Sequence, residues 1–216
     1  MSDKDLELNV SDELLWDPKV DSAAIAVSAD DGVVALRGTV GTFRQKREAK
    51  QDAERVYGVK SVDNELEVRI LNGNRRNDAD LRGGVLQALM LDSLVPSTID
   101  AKVKDGWVTL TGTAEWQYQR DEAEFVAANI LGVVAVDSEI ELMGPTPSAD
   151  NVQHSIKKAM ERNAKLDADS VSVDSSNGTV TLRGTVSSFA DHDEAVAAAW
   201  AAPGVSRVED HVLVSY

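Results

Sequence analysis

The three histidines of this 216-residue chain, His154, His192 and His211, all lie in its last third. A neutral imidazole is the usual general base and a common metal ligand near neutral pH. The spacing of these three matches no metal-ligand pattern such as His-x-x-x-His. Asp191-His192-Asp193 sets a base between two carboxylates, the ingredients of acid–base chemistry. The same residues fall near the start of a predicted helix, where carboxylates offset the helix dipole, and that reading is simpler. Gly38-Thr39-Val40-Gly41 has the look of a glycine loop but lacks the following Lys-Ser/Thr of a phosphate cradle. Neither a Gly-x-Ser-x-Gly elbow nor a dinucleotide fingerprint occurs. Cysteine is absent, which removes disulfides, thiolate metal sites and thiol nucleophiles together. The sequence therefore predicts no catalytic residue, no metal and no cofactor.

One cluster points to binding. Arg44, Lys46, Arg47 and Lys50 crowd a predicted helix start, and Arg44, Arg47 and Lys50 fall toward one face. With Phe43 as an apolar anchor they form a candidate site for phospholipid headgroup phosphates. Glu48, Asp52 and Glu54 are interleaved with them, as on a solvated helix. Trp116 and Phe189 recur near the place of Phe43, where an aromatic packs on a sheet edge or stands out as a contact knob; rim packing is the simpler reading. The net charge of −15 repels nucleic-acid phosphates and excludes general DNA or RNA binding. The first residues, Met-Ser-Asp-Lys-Asp-Leu-Glu, have neither the basic segment nor the apolar run of a signal peptide. No stretch approaches the ~20 apolar residues of a membrane span. A cytoplasmic location is the resulting expectation.

The elements that must carry these residues come from a repeat. Gly32, Gly38 and Gly58 recur 74 residues on as Gly106, Gly112 and Gly132, and after a further 72 as Gly178, Gly184 and Gly204. Val34/Val108/Val180, Leu36/Leu110/Leu182 and Ala49/Ala123/Ala195 keep the same frame. Polar Asn72–Asp78 and Pro-bearing Gly144–Ser148 read as linkers. Three modules are predicted, spanning 1–72, 73–146 and 147–216.

Each module opens with a helix whose apolar stripe is Leu6, Val10 and Leu14; Leu81, Val85 and Leu89; or Val152, Ile156 and Met160. Asn9 and Ser11 weaken the first of these. A hairpin follows, turning at Asp31-Gly32, Asp105-Gly106 and Asn177-Gly178, pairs that tolerate positive φ. The return strand carries the second glycine on its apolar face. Its missing Cβ predicts either a bend or close approach of the second helix, which offers Ala49 and Ala53, Ala123 and Ala127, or Ala195 and Ala199. That helix is predicted over roughly 43–57, 116–131 and 188–202, ending at the third glycine. A last alternating strand closes the unit. The fold class is α+β: three tandem α-β-β-α-β modules, each with two helices on one face of a three-stranded mixed sheet. All nine glycines are assigned to backbone shape and packing.

Asx-Gly at the hairpin, Leu-x-Gly-x-Val/Ala on the second strand and Gly-Val after the second helix, three times in a fixed frame, resemble the BON domain. That family is named for bacterial OsmY and nodulation proteins, and the resemblance covers nearly the whole chain. It implies a bacterial, non-catalytic protein linked to osmotic or general stress and contacting phospholipid membrane surfaces, and it leaves a periplasmic or envelope location open beside the cytoplasmic one. The other partner class is protein: an acidic surface in tandem array suits multivalent contact or holdase-like chaperoning.

Overall fold

A computed structural model describes residues 2–70, 76–144, 149–162 and 170–215. Module one runs α1 (Asp3–Trp16), a short 3-10 turn (Ser22–Ala24), β1 (Ile25–Asp30), β2 (Val33–Val40), α2 (Phe43–Arg55) and β3 (Ser61–Val68). Module two runs α3 (Asp78–Leu91), β4 (Asp100–Lys104), β5 (Trp107–Ala114), α4 (Gln117–Ala128) and β6 (Ala135–Leu142). Module three runs α5 (Ala149–Arg162), β7 (Val171–Ser176), β8 (Thr179–Val186), α6 (Phe189–Trp200) and β9 (Arg207–Val214). The three sheets have the orders β1-β2-β3, β4-β5-β6 and β7-β8-β9. In modules one and three the first pair is antiparallel and the second parallel, so these sheets are mixed. Their registers coincide: Ile25 faces Gly38 as Val171 faces Gly184, and Val34 faces Val62 as Val180 faces Val208.

The helical stripes are buried as expected. Asn9 and Ser11 do not prevent α1. Ser2 caps it in a reciprocal capping box with Asp5, and Ser11 turns its hydroxyl back to the Glu7 carbonyl at 2.7 Å. The sheet of module one buries Val34, Leu36, Val40 and Leu66 against these helices. Its other face is wet, and Arg37 grips Glu65 there at 2.8 and 3.1 Å.

The glycine frame is a set of backbone closures. Asp31-Gly32, Asp105-Gly106 and Asn177-Gly178 all have positive φ at both residues, the geometry of a tight hairpin turn. A Cβ on Gly32, Gly106 or Gly178 would lie 3.1 Å from the carbonyl oxygen of Gly58, Gly132 or Gly204 respectively. The first glycine's carbonyl then accepts from the backbone N–H of Lys60, Val134 or Ser206, at 2.8, 3.0 and 2.8 Å. Hairpin turn and returning chain therefore interlock, which explains a frame that tolerates no insertion.

The second glycine departs from the sequence reading. Gly38, Gly112 and Gly184 have φ of 131°, 128° and 154°. A Cβ there would meet the carbonyl oxygen of Ala24, Thr98 or Ser170 at 1.9, 2.3 and 2.1 Å. What comes close is the backbone entering the first strand, not the second helix. The small stripe of that helix is real, with Ala49, Ala53, Ala195 and Ala199 fully buried, but it serves a separate contact. The second helix also stops short of the third glycine, at Arg55, Ala128 and Trp200. Gly58, Gly132 and Gly204 belong to the turn beyond it, with φ of 98°, 109° and 75°. Apolar Val59, Val133 and Val205 just past the glycine are buried, so the chain leaves the helix early to bring them inward.

Two compact units emerge from the packing of the chain. One comprises Met1–Leu91, Ala101–Leu110 and Glu124–Asp137; the other comprises Asp92–Asp100, Thr111–Ala123 and Ser138–Tyr216.

Candidate functional site

The basic cluster lies on the first two turns of α2, which Thr42 caps by accepting the Gln45 N–H at 3.1 Å. Phe43 is half-buried at the rim, as are Trp116 and Phe189. Arg44 pairs with Glu48 at 3.5 Å, and Glu48 also holds Lys19 at 2.6 Å. Lys50 pairs with Glu54 at 3.3 Å. Two of the four cations are thus answered within their own module. Lys46 and Arg47 have no ion-pair partner among the described residues.

A second surface was not singled out from the sequence. The last two residues of α1, Leu15 and Trp16, are 75% and 84% exposed, and Tyr57 in the turn after α2 is 69% exposed. Trp16 and Tyr57 line an open groove of about 430 Å³ with Asn9, Asp12, Glu13 and Val56. At the matching places module two exposes Met90 (79%), Leu91 (73%) and Leu131 (40%). Module three has Glu161, Arg162 and Pro203 instead, and Glu161 pairs with Lys158 at 2.7 Å. The signal was present in the sequence: Leu15-Trp16 and Met90-Leu91 are apolar yet lie one and two places beyond the buried stripe.

The position equivalent to Lys46 carries different chemistry in each module. The Lys46 carbonyl accepts from Asn64 Nδ2 at 2.7 Å, Arg120 Nε donates to Ser138 at 3.2 Å, and His192 Nε2 meets Asp210 at 2.7 Å. His192 Nδ1 also meets Asp193 at 3.2 Å, and Phe189 stands edge-on to the ring. The hydrogen bond it donates to Asp193, with the charge of Asp210, raises the imidazole pKa. Both ring nitrogens are engaged by carboxylates, so this histidine works as a clasp between α6 and β9 and not as a free base. Among the described residues, no group of His, Asp and Glu has the arrangement to hold a metal ion.

Among the described residues the one carboxylate with no exposure is Asp52 of α2, which is 0% exposed and points one oxygen at Arg55. Its Oδ2 has no hydrogen-bond partner. Burial pushes its pKa up to about 6 against the pull of Arg55. Val126 and Ala198 fill the place in the other modules.

Fold and surfaces define a class: a tandem array of small α-β-β-α-β modules with a shared backbone and divergent exteriors. The BON domain family model matches residues 2–70, 77–144 and 148–216, and the chain belongs to that family. The Osmotically-inducible protein Y of Escherichia coli (strain K12) is 32% identical over 146 residues, covering 65% of this chain and 73% of that protein. Two solved structures of CdsD, a structural protein of the type III secretion system of Chlamydia trachomatis, align at 16% identity. One alignment covers 98% of this chain and 92% of the other with a TM-score of 0.28. The second, to the C-terminal domain, covers 100% of both with a TM-score of 0.27. No described helix is long and apolar enough to cross a membrane.

Proposed function

We propose that the chain is a non-catalytic binding protein of the osmotic stress response that docks on phospholipid membrane surfaces. The stress assignment follows the related Osmotically-inducible protein Y. The observation that carries the docking reading is the recurrence of Leu15, Trp16 and Tyr57 as Met90, Leu91 and Leu131, exposed at matching places. Exposed apolar residues with an aromatic pair suit the interfacial zone of a bilayer, where Trp and Tyr partition. Attraction between charges is the weaker contributor. The chain carries −15 overall, and Glu48 and Glu54 already answer Arg44 and Lys50. Phosphate contact then falls to Lys46 and Arg47. They lie in the first turns of α2, in the same module as Leu15, Trp16 and Tyr57. Co-sedimentation with phosphatidylcholine and phosphatidylglycerol vesicles tests the reading. Binding to both that survives at about 0.5 M salt, where screening is nearly complete, is the expected result. Absence of binding to either vesicle removes the membrane reading.

One observation favours a second reading. Asp12 and Glu13 rim the groove of Trp16 and Tyr57, which suits a basic, apolar protein segment. In that case the chain suppresses aggregation of an unfolding client at near-stoichiometric amounts and ignores vesicles.

A further inference from the structure

Asp52 breaks a rule that the sister modules keep. They have Val126 and Ala198 at its place, and Asn129 and Ala201 where module one has Arg55. A fully buried carboxylate with one unpartnered oxygen lowers stability where a valine would raise it. A residue of that kind in a folded chain marks a place to look for function. Asp52 sits where α2 meets the last turn of α1 and the segment beyond it. Arg55 acts on its charge from α2, Glu13 from α1, and Asp17 and Lys19 from that segment. Arg55 Nη2 holds Asp52 and also lies 3.8 Å from Glu13. Lys19 Nζ stands 3.1 Å from Asp17 and 2.6 Å from Glu48, and Arg44 Nε lies 3.5 Å from Glu48. Among the described residues, four carboxylates (Glu13, Asp17, Glu48 and Asp52) thus share three cations (Lys19, Arg44 and Arg55) across this joint. One negative charge is in excess, and Asp52 is the member with no access to water.

The Trp16–Tyr57 groove is the outer mouth of the same joint. Helix α1 supplies Asn9, Asp12, Glu13 and Trp16, and the turn after α2 supplies Val56 and Tyr57. Arg55 links the buried acid to Glu13 in the groove wall. A proton on Asp52 removes the surplus charge of the joint, and loss of that proton restores it. Burial, against the pull of Arg55, sets the folded pKa at about 6, above the ordinary 3.8. The closed joint is therefore favoured in full below pH 3.8 and progressively less as pH rises through about 6. Asp17 is held below its usual value and Lys19 above, so both keep their charges between pH 4.5 and 7.5. We propose that the α1–α2 joint of module one is a proton-controlled latch, which holds the Trp16–Tyr57 groove together in mildly acid conditions and lets α1 part from α2 as the pH rises.

The consequence for docking rests on the membrane reading; the latch itself is tested without vesicles, so each can fail alone. The measurement is amide hydrogen exchange of the full chain between pH 4.5 and 7.5, corrected for the intrinsic pH dependence of exchange. Opening of α1, read over Leu6–Leu14, should rise on the order of tenfold or more across that range. D52N, which keeps the shape and drops the charge, and D52V should each remove that rise. D52V should also leave α1 better protected than in the parent chain at pH 7.5. R55Q takes away the cation that favours the ionised acid, so it should move the midpoint of the rise to higher pH. The proposal is overturned if α1 opening in the parent chain follows intrinsic chemistry alone. It is equally overturned if D52N and D52V keep the parent's rise, which then belongs to the general repulsion within a chain of −15.

Discussion

Modules one and three share a sheet register, residue for residue, and carry different exteriors. Module one ends its first helix in exposed Leu15-Trp16 and clothes its second in charge, with Lys50 paired to Glu54. Module three ends its first helix in Glu161-Arg162 and carries half-buried Val196 and Trp200 on its second, packed against its own core. The closures made by the glycines are common to both; what contacts a partner is not. The fold is thus a carrier whose surface chemistry is set module by module, and a BON-domain array should be read one exterior at a time.

Several substitutions test how far that division holds. The largest effect belongs to the shared backbone. G38A and G184A each place a Cβ about 2 Å from a carbonyl oxygen, at 1.9 and 2.1 Å. Each should cost about 3 kcal/mol or more and remove amide-exchange protection from its own module. A loss in one module only would break the equivalence. Second is Asp52, peculiar to module one. Its folded pKa, about 6, lies above the ordinary 3.8, so it favours the neutral form. Its contribution is most favourable below pH 3.8 and is lost as pH rises through about 6. D52V, which installs the residue of module two, should stabilise module one by about 2 kcal/mol at pH 7.5 and by much less at pH 4, in urea titrations. Arg55 is 57% exposed and loses little when its partner goes. The smallest effect concerns His192. Its pKa is raised, so the clasp is at full strength below pH 6.5 and weakens as pH climbs through the folded value. H192Q should cost about 0.5–1 kcal/mol at pH 5.5 and less at pH 8.5, in module three alone.

How much of this was legible in the sequence follows from how local each signal is. The stripes Leu6/Val10/Leu14 and Val152/Ile156/Met160 and the Asx-Gly turns need only periodicity and φ, and the structure has them as expected. The reason for Gly38 was misjudged because the carbonyl that fills its Cβ space comes from Ala24, fourteen positions earlier, and no pattern within one strand reveals it. Sequence alone extends the second helix too far because Gly58 suits a helix end as well as a later turn. Asp52 reads in sequence as one of the solvated acids, yet it shares the i, i+3, i+4 face of Ala49 and Ala53, which is buried. The partners of Arg44 and Lys50 lie four residues on and were noted as balancing charge. Which cations stay unanswered required side-chain positions.

The central claim is that the exposed ends of the first helices, and not the shared backbone, carry surface binding. The most direct measurement is phosphatidylcholine vesicle flotation of the full chain bearing L15E, W16R, M90E and L91R, the residues module three uses at those places. The account predicts at least a tenfold loss of vesicle association with unchanged circular dichroism and Tm. Undiminished flotation by the well-folded quadruple variant would contradict it.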